Sequence, residues 1–352
     1  MEVVCSTDID LREYVRFLDA FGAQPGVALA YHYPFYLKFL ADVAYPNSTL
    51  RFVTARNGGS LVGVMPAVNV QTPQVNAWLS LAYFGPNGGA LVQDSRNADG
   101  RATVCALTTG AEADARGRAC GSMTIYTPLD ADPEPYGAAI GPIDFDLARL
   151  SQCVAIPADP EQSPWPRKVR YDIRRAASLG VTVRPIEAAT ELDAIWELYR
   201  AGCEEAGIPI KPRDHVRRLY ESAGDHGVFL AAEHDGEIIA GLICLQGGGV
   251  LSYYLPCTRV DKRPLQPGLL LLDRAVAIAR TAGCRILNFE GSPRVESSVH
   301  RFKARCGGQP VPYRVLVKLL RPGIVNDYRA LTKDGLRREA PHAFVIPFEA
   351  IA

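Results

Sequence analysis

The strongest constraint on how this chain folds is an internal repeat. Residues 50–56, LRFVTAR, read as a strand, Asn57-Gly58-Gly59 as a hairpin turn, and 60–70, SLVGVMPAVNV, as the returning strand. Asn-Gly and Gly-Gly supply the positive φ angles that tight hairpins need. About 177 residues later GVFLAAEHDGEIIAGLICLQGG (227–248) follows the same order: Phe229 answers Phe52, His234-Asp235-Gly236 answers the first turn, and EIIAGLICL answers SLVGVMPAV with one residue inserted. Each half continues through a strand and then a helix, RATVCALTTGAEADARGRA (101–119) in one and GLLLLDRAVAIARTAG (268–283) in the other. Each helix runs into small residues and a further strand, CGSMTIYTP (120–128) and GCRILNFEGS (283–292). Matching element order together with matching turn chemistry argues for duplication, and therefore for two units of mixed α and β structure rather than one.

Length agrees, since 352 residues exceed what one hydrophobic core usually holds. A first domain is expected over 1–155, with helices at 11–23 and 31–44. The Pro-rich stretch IPADPEQSPWP (156–166) suits a linker. A second domain is expected over 167–320, and 321–352 as a tail packing on the domains. The second domain opens with a basic helix, RKVRYDIRRAASLG (167–180), stopped by Gly180 before the strand VTVRPI. A helix then follows over 189–207, with Thr190 and Glu191 near its cap and Leu192, Ile195, Trp196, Leu198 and Tyr199 on its apolar face.

Charge and cysteine usage narrow the function. The 38 basic and 38 acidic side chains cancel, so attraction to a polyanion must be local. Nine scattered cysteines include no Cys-x-x-Cys pair, which points to reduced thiols and no zinc site. The acidic N-terminus MEVVCSTDIDLREYV lacks the pattern of a secretory signal and no apolar run reaches membrane-spanning length, so a cytoplasmic protein without a membrane span is expected. His32, His215 and His300 lack metal-ligand spacing, and there is no Gly-x-Ser-x-Gly elbow, so neither a metal nor a covalent acyl-enzyme is expected.

Several residues qualify as site groups on their chemistry. Lys303, in HRFKARCGG, follows the strand end NFEGS; a lysine there can donate to a developing oxyanion or a phosphate, or be a surface lysine favoured at a helix C-terminus. Glu290 ends the strand, two residues before Ser292, itself a candidate substrate contact, and can accept an amine proton if its surroundings raise its basicity, or simply bond the turn. Tyr253 and Tyr254 alternate across a strand, so one faces each side, and Tyr254 is favoured as a substrate contact because Leu251 and Leu255 mark the odd positions as apolar. Lys211 and Arg213 sit on a loop entering a helix, a common place for anion-binding groups. Arg167, Lys168, Arg170 and Arg174 form the densest positive patch, either a solvated face or a contact for nucleic-acid phosphates.

The order of helix, strand, helices, hairpin, strand, helix and strand in the second half resembles the GNAT N-acyltransferase fold. With YDIRRAASLGVTV, HRFKARCGGQPV and, in the first half, LVGVMPAV and YFGPNGGALV, the chain is similar to the Fem-type branch, whose members carry two GNAT-like domains in tandem. The resemblance implies an α/β (α+β) fold with mixed central sheets in each domain. It also implies transfer of an aminoacyl group from aminoacyl-tRNA to the amine of a small or peptidoglycan-precursor-like acceptor by direct attack, without a cofactor. Phe302-Lys303 matches the family's active-site Phe-Lys pair, and Lys38, within FYLKFL, matches a first-domain lysine that holds nucleotide-linked substrate. The positive patch becomes a tRNA contact on this reading. Ordinary GNAT proteins use acyl-CoA, whose pyrophosphate rests on backbone N–H groups of a Gly-rich loop. The equivalent RVDKRPLQPGLLLLDRA keeps Gly268 but has Pro264, Pro267 and Leu270, a poor cradle. The long antiparallel helical pair of some Fem-type enzymes is absent. An acyl-CoA-dependent acetyltransferase and a non-catalytic binding protein on the same duplicated fold remain the alternatives.

Overall fold

A computed structural model describes residues 1–23, 28–46, 48–81, 88–292 and 297–351. Residues 83–87 of YFGPNGGALV and 293–296 of the strand-to-helix connection fall outside that set. The chain divides into two compact units, residues 1–150 with 311–352, and residues 151–310. The last strand and the C-terminal helix therefore belong to the first unit, whereas the sequence suggested a second domain running to 320 and a separate tail. Strand pairing between residues so far apart leaves no local signature.

In the first unit the strands are β1 (Glu2–Ser6), β2 (Ser48–Asn57), β3 (Ser60–Gln71), β4 (Asn76–Leu79), β5 (Leu91–Val92), β6 (Ser122–Tyr126) and the beginning of β7 (Phe145–Ala155). Its helices are α1 (Leu11–Asp19), α2 (Pro34–Phe39), α3 (Ala98–Gly117) and α4 (Glu134–Ile140). Asp10 caps α1 by accepting from the N–H groups of Arg12 (2.9 Å) and Glu13 (3.0 Å). The helix expected over 31–44 is broken at Tyr33, which is extended (φ −77°, ψ 152°) because it precedes Pro34. The β2–β3 turn has Gly58 and Gly59 at φ +54° and +84°, the mirror-image turn that matches strand twist. β4 and β6 pair in parallel at three positions only, Ala77↔Ser122, Trp78↔Met123 and Leu79↔Thr124. A deeply buried ion pair anchors α3 to the sheet: Asp114 accepts from Arg51 Nε (2.9 Å) and from Trp78 Nε1 (3.2 Å).

The second unit begins with residues 151–155 of β7 and contains α5 (Arg167–Ser178), β8 (Thr182–Pro185), α6 (Ala189–Ala206), α7 (Arg213–Ala223), β9 (Gly227–His234), β10 (Glu237–Gly247), β11 (Val250–Thr258), α8 (Pro267–Thr281), β12 (Ile286–Gly291) and α9 (Ser298–Arg305). Strand β13 (Gln309–Leu319) then leads into the first unit, where it pairs antiparallel with β6, and α10 (Ile324–Glu339) follows. The sheet order in the second unit is β7-β12-β11-β10-β9-β8. As expected, Asp235 and Gly236 turn the β9–β10 hairpin at φ +53° and +77°. At the cap of α6 Glu191 acts from inside the first turn, its carboxylate accepting from the N–H groups of Glu187 (2.8 Å) and Ala188 (3.3 Å).

One face of this sheet buries Leu251, Leu242, Leu287 and Phe289 against Leu269, Leu272 and Val276 of α8 and Val169 and Ile173 of α5. β11 and β12 are its one parallel pair among the described residues, joined at Val250↔Ile286, Leu251↔Leu287 and Ser252↔Asn288, where pairing stops although both strands run on. The same three-position parallel pair in each unit is the structural form of the repeat.

Candidate active site

Past the last β11–β12 pair the chain gathers its charged groups. Glu290, the last residue but one of β12, has φ +62°, a left-handed conformation that side-chain-bearing residues rarely adopt. There a bulge forms against β7, whose residues 153 and 151 face 288 and 291 of β12. Ser297 then caps α9, its hydroxyl accepting the N–H of His300 at 3.2 Å. Lys303 lies inside this helix rather than at a turn beyond it, and only 3% of it is exposed. The surface-lysine alternative is thereby excluded. Lys303 Nζ donates to the carbonyl oxygens of Glu290 (3.0 Å) and Gly291 (2.7 Å), which uses two of its three N–H donors. Burial lowers its pKa from 10.5 to about 8 against the opposing pull of the Glu290 charge. Its neighbour Phe302 packs edge-on against Phe289, ring centroids 6.4 Å apart.

Lys211 approaches the same glutamate from the loop before α7. It is 7% exposed, its Nζ 4.7 Å from the Tyr254 ring centroid and 5.8 Å from that of Tyr199. Backbone bonds fix the loop: Lys211 N–H donates to Tyr199 Oη (3.2 Å) and Trp196 Nε1–H to the Lys211 carbonyl (2.9 Å). Burial again lowers the pKa to about 8, while the charges of Cys203 and Glu290 raise it. The charge of Glu290 thus acts on two buried lysines. Tyr254 belongs to this group, whereas Tyr253 faces the other way, 5.3 Å from the Phe289 ring, as strand alternation requires.

The remaining expected residues lie elsewhere or are engaged. Arg213, at the start of α7, holds Asp193 together with Arg217 (Nε to Oδ1 2.8 and 3.0 Å). Lys38 is an exposed residue of α2 in the first unit, paired with Asp42. Ser292 is half-buried, and its hydroxyl has no hydrogen-bond partner among the described residues. Arg167, Lys168, Arg170 and Arg174 are exposed along α5, with Arg175 and the 58%-exposed Tyr171 among them. Asp172 of the same helix turns inward and pairs with Arg305 at 2.7 Å.

Sequence reasoning missed Asn288, Ser151 and Tyr199. Asn288 carried a signal, since it lies two residues before Glu290 on the same strand face. Tyr199 read as packing on an amphipathic helix and nothing marked it further.

A cavity of about 330 Å³ opens on the opposite face, lined by Leu242, Tyr253, Leu269 and Phe302 with Arg263 and Arg305 at polar positions. It adjoins the start of α8, where Gln266 adopts φ +57° and Pro267 occupies the first helical position without an N–H to offer. Among the described residues no cluster of His, Cys, Asp or Glu could hold a metal, and no helix is long and apolar enough to cross a membrane.

Residues 166–311 match the family model of the acetyltransferase (GNAT) domain. The second unit is an acyltransferase domain. Among solved structures the whole chain is similar to FemX, with a TM-score of 0.69 at 13% identity over 89% of this chain and 97% of that one. It is also similar to a tandem GNAT protein from the clavulanic acid biosynthesis pathway, with a TM-score of 0.55 at 16% identity over 91% and 99%. The C-terminal domain of a putative lysylphosphatidylglycerol synthetase from Agrobacterium fabrum gives 0.54 at 12% identity over 96% and 99%. At such identities the likeness is one of fold, two GNAT-like units in tandem with both parallel and antiparallel strand pairs in each. No curated protein sequence matches the chain significantly.

Proposed function

We propose that this enzyme transfers an aminoacyl group from aminoacyl-tRNA to the amine of a small or peptidoglycan-precursor-like acceptor. The observation that carries the reading is Lys303, buried, fixed by two carbonyls and left with one N–H to direct at a developing oxyanion. The acceptor amine attacks the ester carbonyl and forms the C–N bond. Lys303 stabilises the tetrahedral oxyanion, a contribution of roughly a hundredfold or more in rate. As the C–O bond to the ribose breaks, the leaving oxygen takes a proton, and a lysine with pKa about 8 is suited to supply it. The amine's proton passes to Glu290, and Lys211 with Tyr254 holds the anionic part of a substrate. Aminoacyl-tRNA as donor is supported by the poor phosphate cradle at α8, the exposed cations of α5 and the fold likeness to FemX.

One observation favours an acyl-CoA donor instead: the cavity beside α8 carries Arg263 and Arg305. Incubating the protein with charged tRNA or with acetyl-CoA against a panel of amines, and reading product masses, decides between them. The expected product gains an aminoacyl residue only with charged tRNA. Replacing Arg167, Arg170 and Arg174 by Glu is expected to weaken tRNA binding and to flatten its dependence on log salt by about 0.9 per lost phosphate contact. Turnover with acetyl-CoA alone, or full activity in Lys303→Ala, overturns the proposal.

A further inference from the structure

Asn288 is fully buried on β12. Its Oδ1 accepts the Ser151 hydroxyl (2.6 Å) and the N–H of Glu290 (2.9 Å), and its Nδ2 donates to Glu290 Oε1 (3.2 Å). A side-chain oxygen that takes the N–H two residues on closes an Asx turn, the local device that lets a chain leave the strand conformation. Glu290 at φ +62° needs such a device, because its side chain disfavours the left-handed region and would otherwise return it to the β conformation. The turned backbone presents two successive carbonyls, of Glu290 and Gly291, to one ammonium. In a straight strand, successive carbonyls point in opposite directions.

We propose that Asn288 is a positioning residue: by closing the turn at Glu290 it aligns both carbonyls on Lys303 and fixes where the remaining N–H points, while its amide orients the Glu290 carboxylate. This deepens the catalytic reading of Lys303, but its test needs no substrate and so stands or falls separately. The charged groups concerned are Glu290 on β12, Lys211, which reaches the same glutamate, and Arg301 and Arg305 on the lysine's own helix, Arg305 being paired with Asp172 of α5.

The experiment is a ¹³C NMR titration of protein labelled at the lysine ε-carbons, with Lys303→Arg to assign the resonance. In Asn288→Ala the ammonium loses aligned acceptors while it stays buried, and its titration midpoint falls by about one pH unit. Asn288→Ser keeps an oxygen able to accept the Glu290 N–H and holds the midpoint within about 0.3 units of wild type. Ser151→Ala, which leaves the turn closed, does the same. A folded Asn288→Ala variant that titrates as wild type overturns the proposal. If that variant does not fold, amide exchange in the wild-type protein decides. Glu290 N–H is expected to exchange at least about a hundredfold more slowly than an unstructured amide, and free exchange overturns the proposal.

Discussion

Replacing Lys303 by methionine should separate the cost of this residue from its use. The side chain is 3% exposed, and burial holds its pKa near 8 in place of 10.5. A group whose ammonium form is disfavoured by folding weakens the fold while it is charged in both states, below pH 8. Between pH 8 and 10.5 the unfolded chain keeps the proton and the folded one releases it, so wild-type stability gains relative to the variant as pH rises. The full difference corresponds to about 3 kcal/mol, and by pH 10 about 2.5 kcal/mol of it is realised. At pH 7 the methionine variant avoids that cost but leaves two carbonyls without a donor, worth about 1–3 kcal/mol in the other direction. Its net stability there is therefore close to wild type, and only the pH dependence of the difference isolates the charge. Urea unfolding of both proteins at pH 7, 8, 9 and 10, with equal m-values, reads it directly. Parallel stability curves would refute the reasoning, because they would mean that Lys303 titrates as a hydrated lysine and is not held in a dry setting. The same variant is expected to lose acyl transfer by roughly a hundredfold or more while remaining folded.

Two further predictions concern the first unit. His32 is fully buried, its Nδ1 accepts the Leu29 N–H at 3.0 Å, and burial lowers its pKa from 6.5 to about 4. Its contribution is intact above pH 6.5 and is lost as pH falls toward 4, where only the unfolded chain takes the proton. About 2.5 kcal/mol should go by pH 4.5, and His32→Gln, measured by urea unfolding over pH 7 to 4.5, should lack that slope. Asp114→Ala strands Arg51 as an uncompensated buried charge and should cost about 3–5 kcal/mol, much of it recovered in the Arg51→Met, Asp114→Ala double variant. Thermal and urea unfolding of the single and double variants measure both effects.

What the sequence disclosed follows from the range of the interactions involved. The two hairpins were legible because Asn57-Gly58-Gly59 and Asp235-Gly236 carry their backbone angles in their own residue types. The basic helix was legible from charge spacing, and its end from Gly180, at φ +84°. The burial of Lys303 was not, because a short helix of Ser, Val, His, Arg, Phe, Lys and Ala reads as solvent-facing until β12 and β7 close over it. Nor was the left-handed turn at Glu290, where the residue type argues against the conformation and the cause lies in Asn288. Arg213 looked like an anion site because its partner Asp193 lies on another helix. Residues 311–320 read as the end of the second domain and 321–352 as a separate tail for a similar reason, the pairing of β13 with β6 being a contact between residues far apart in the chain.

The repeat explains why only one copy carries the proposed chemistry. Each unit has a parallel pair that stops after three positions, so each offers a place where strands part. In the first unit, the residue after the last pair is Ser80, whose N–H donates to the Thr124 carbonyl (3.0 Å) and whose hydroxyl accepts the Tyr126 N–H (2.9 Å). Those bonds tie the two strands together where they would separate. Thr124 and Tyr126 are covered in turn by the C-terminal segment, the Thr124 hydroxyl donating to the Phe344 carbonyl (2.8 Å) and Tyr126 stacking edge-on with Phe344. The helix matching α9 is α4, Glu-Pro-Tyr-Gly-Ala-Ala-Ile, which has no cation. In the second unit, two residues past the last pair on each strand stand Tyr254 and Glu290, with Lys211 over the tyrosine ring and Lys303 on the turn. A duplicated scaffold has thus been closed with neutral hydrogen bonds in one copy and kept charged in the other. Buried lysines cost stability unless something uses their charge, and that cost is the physical argument for placing the reaction in residues 151–310.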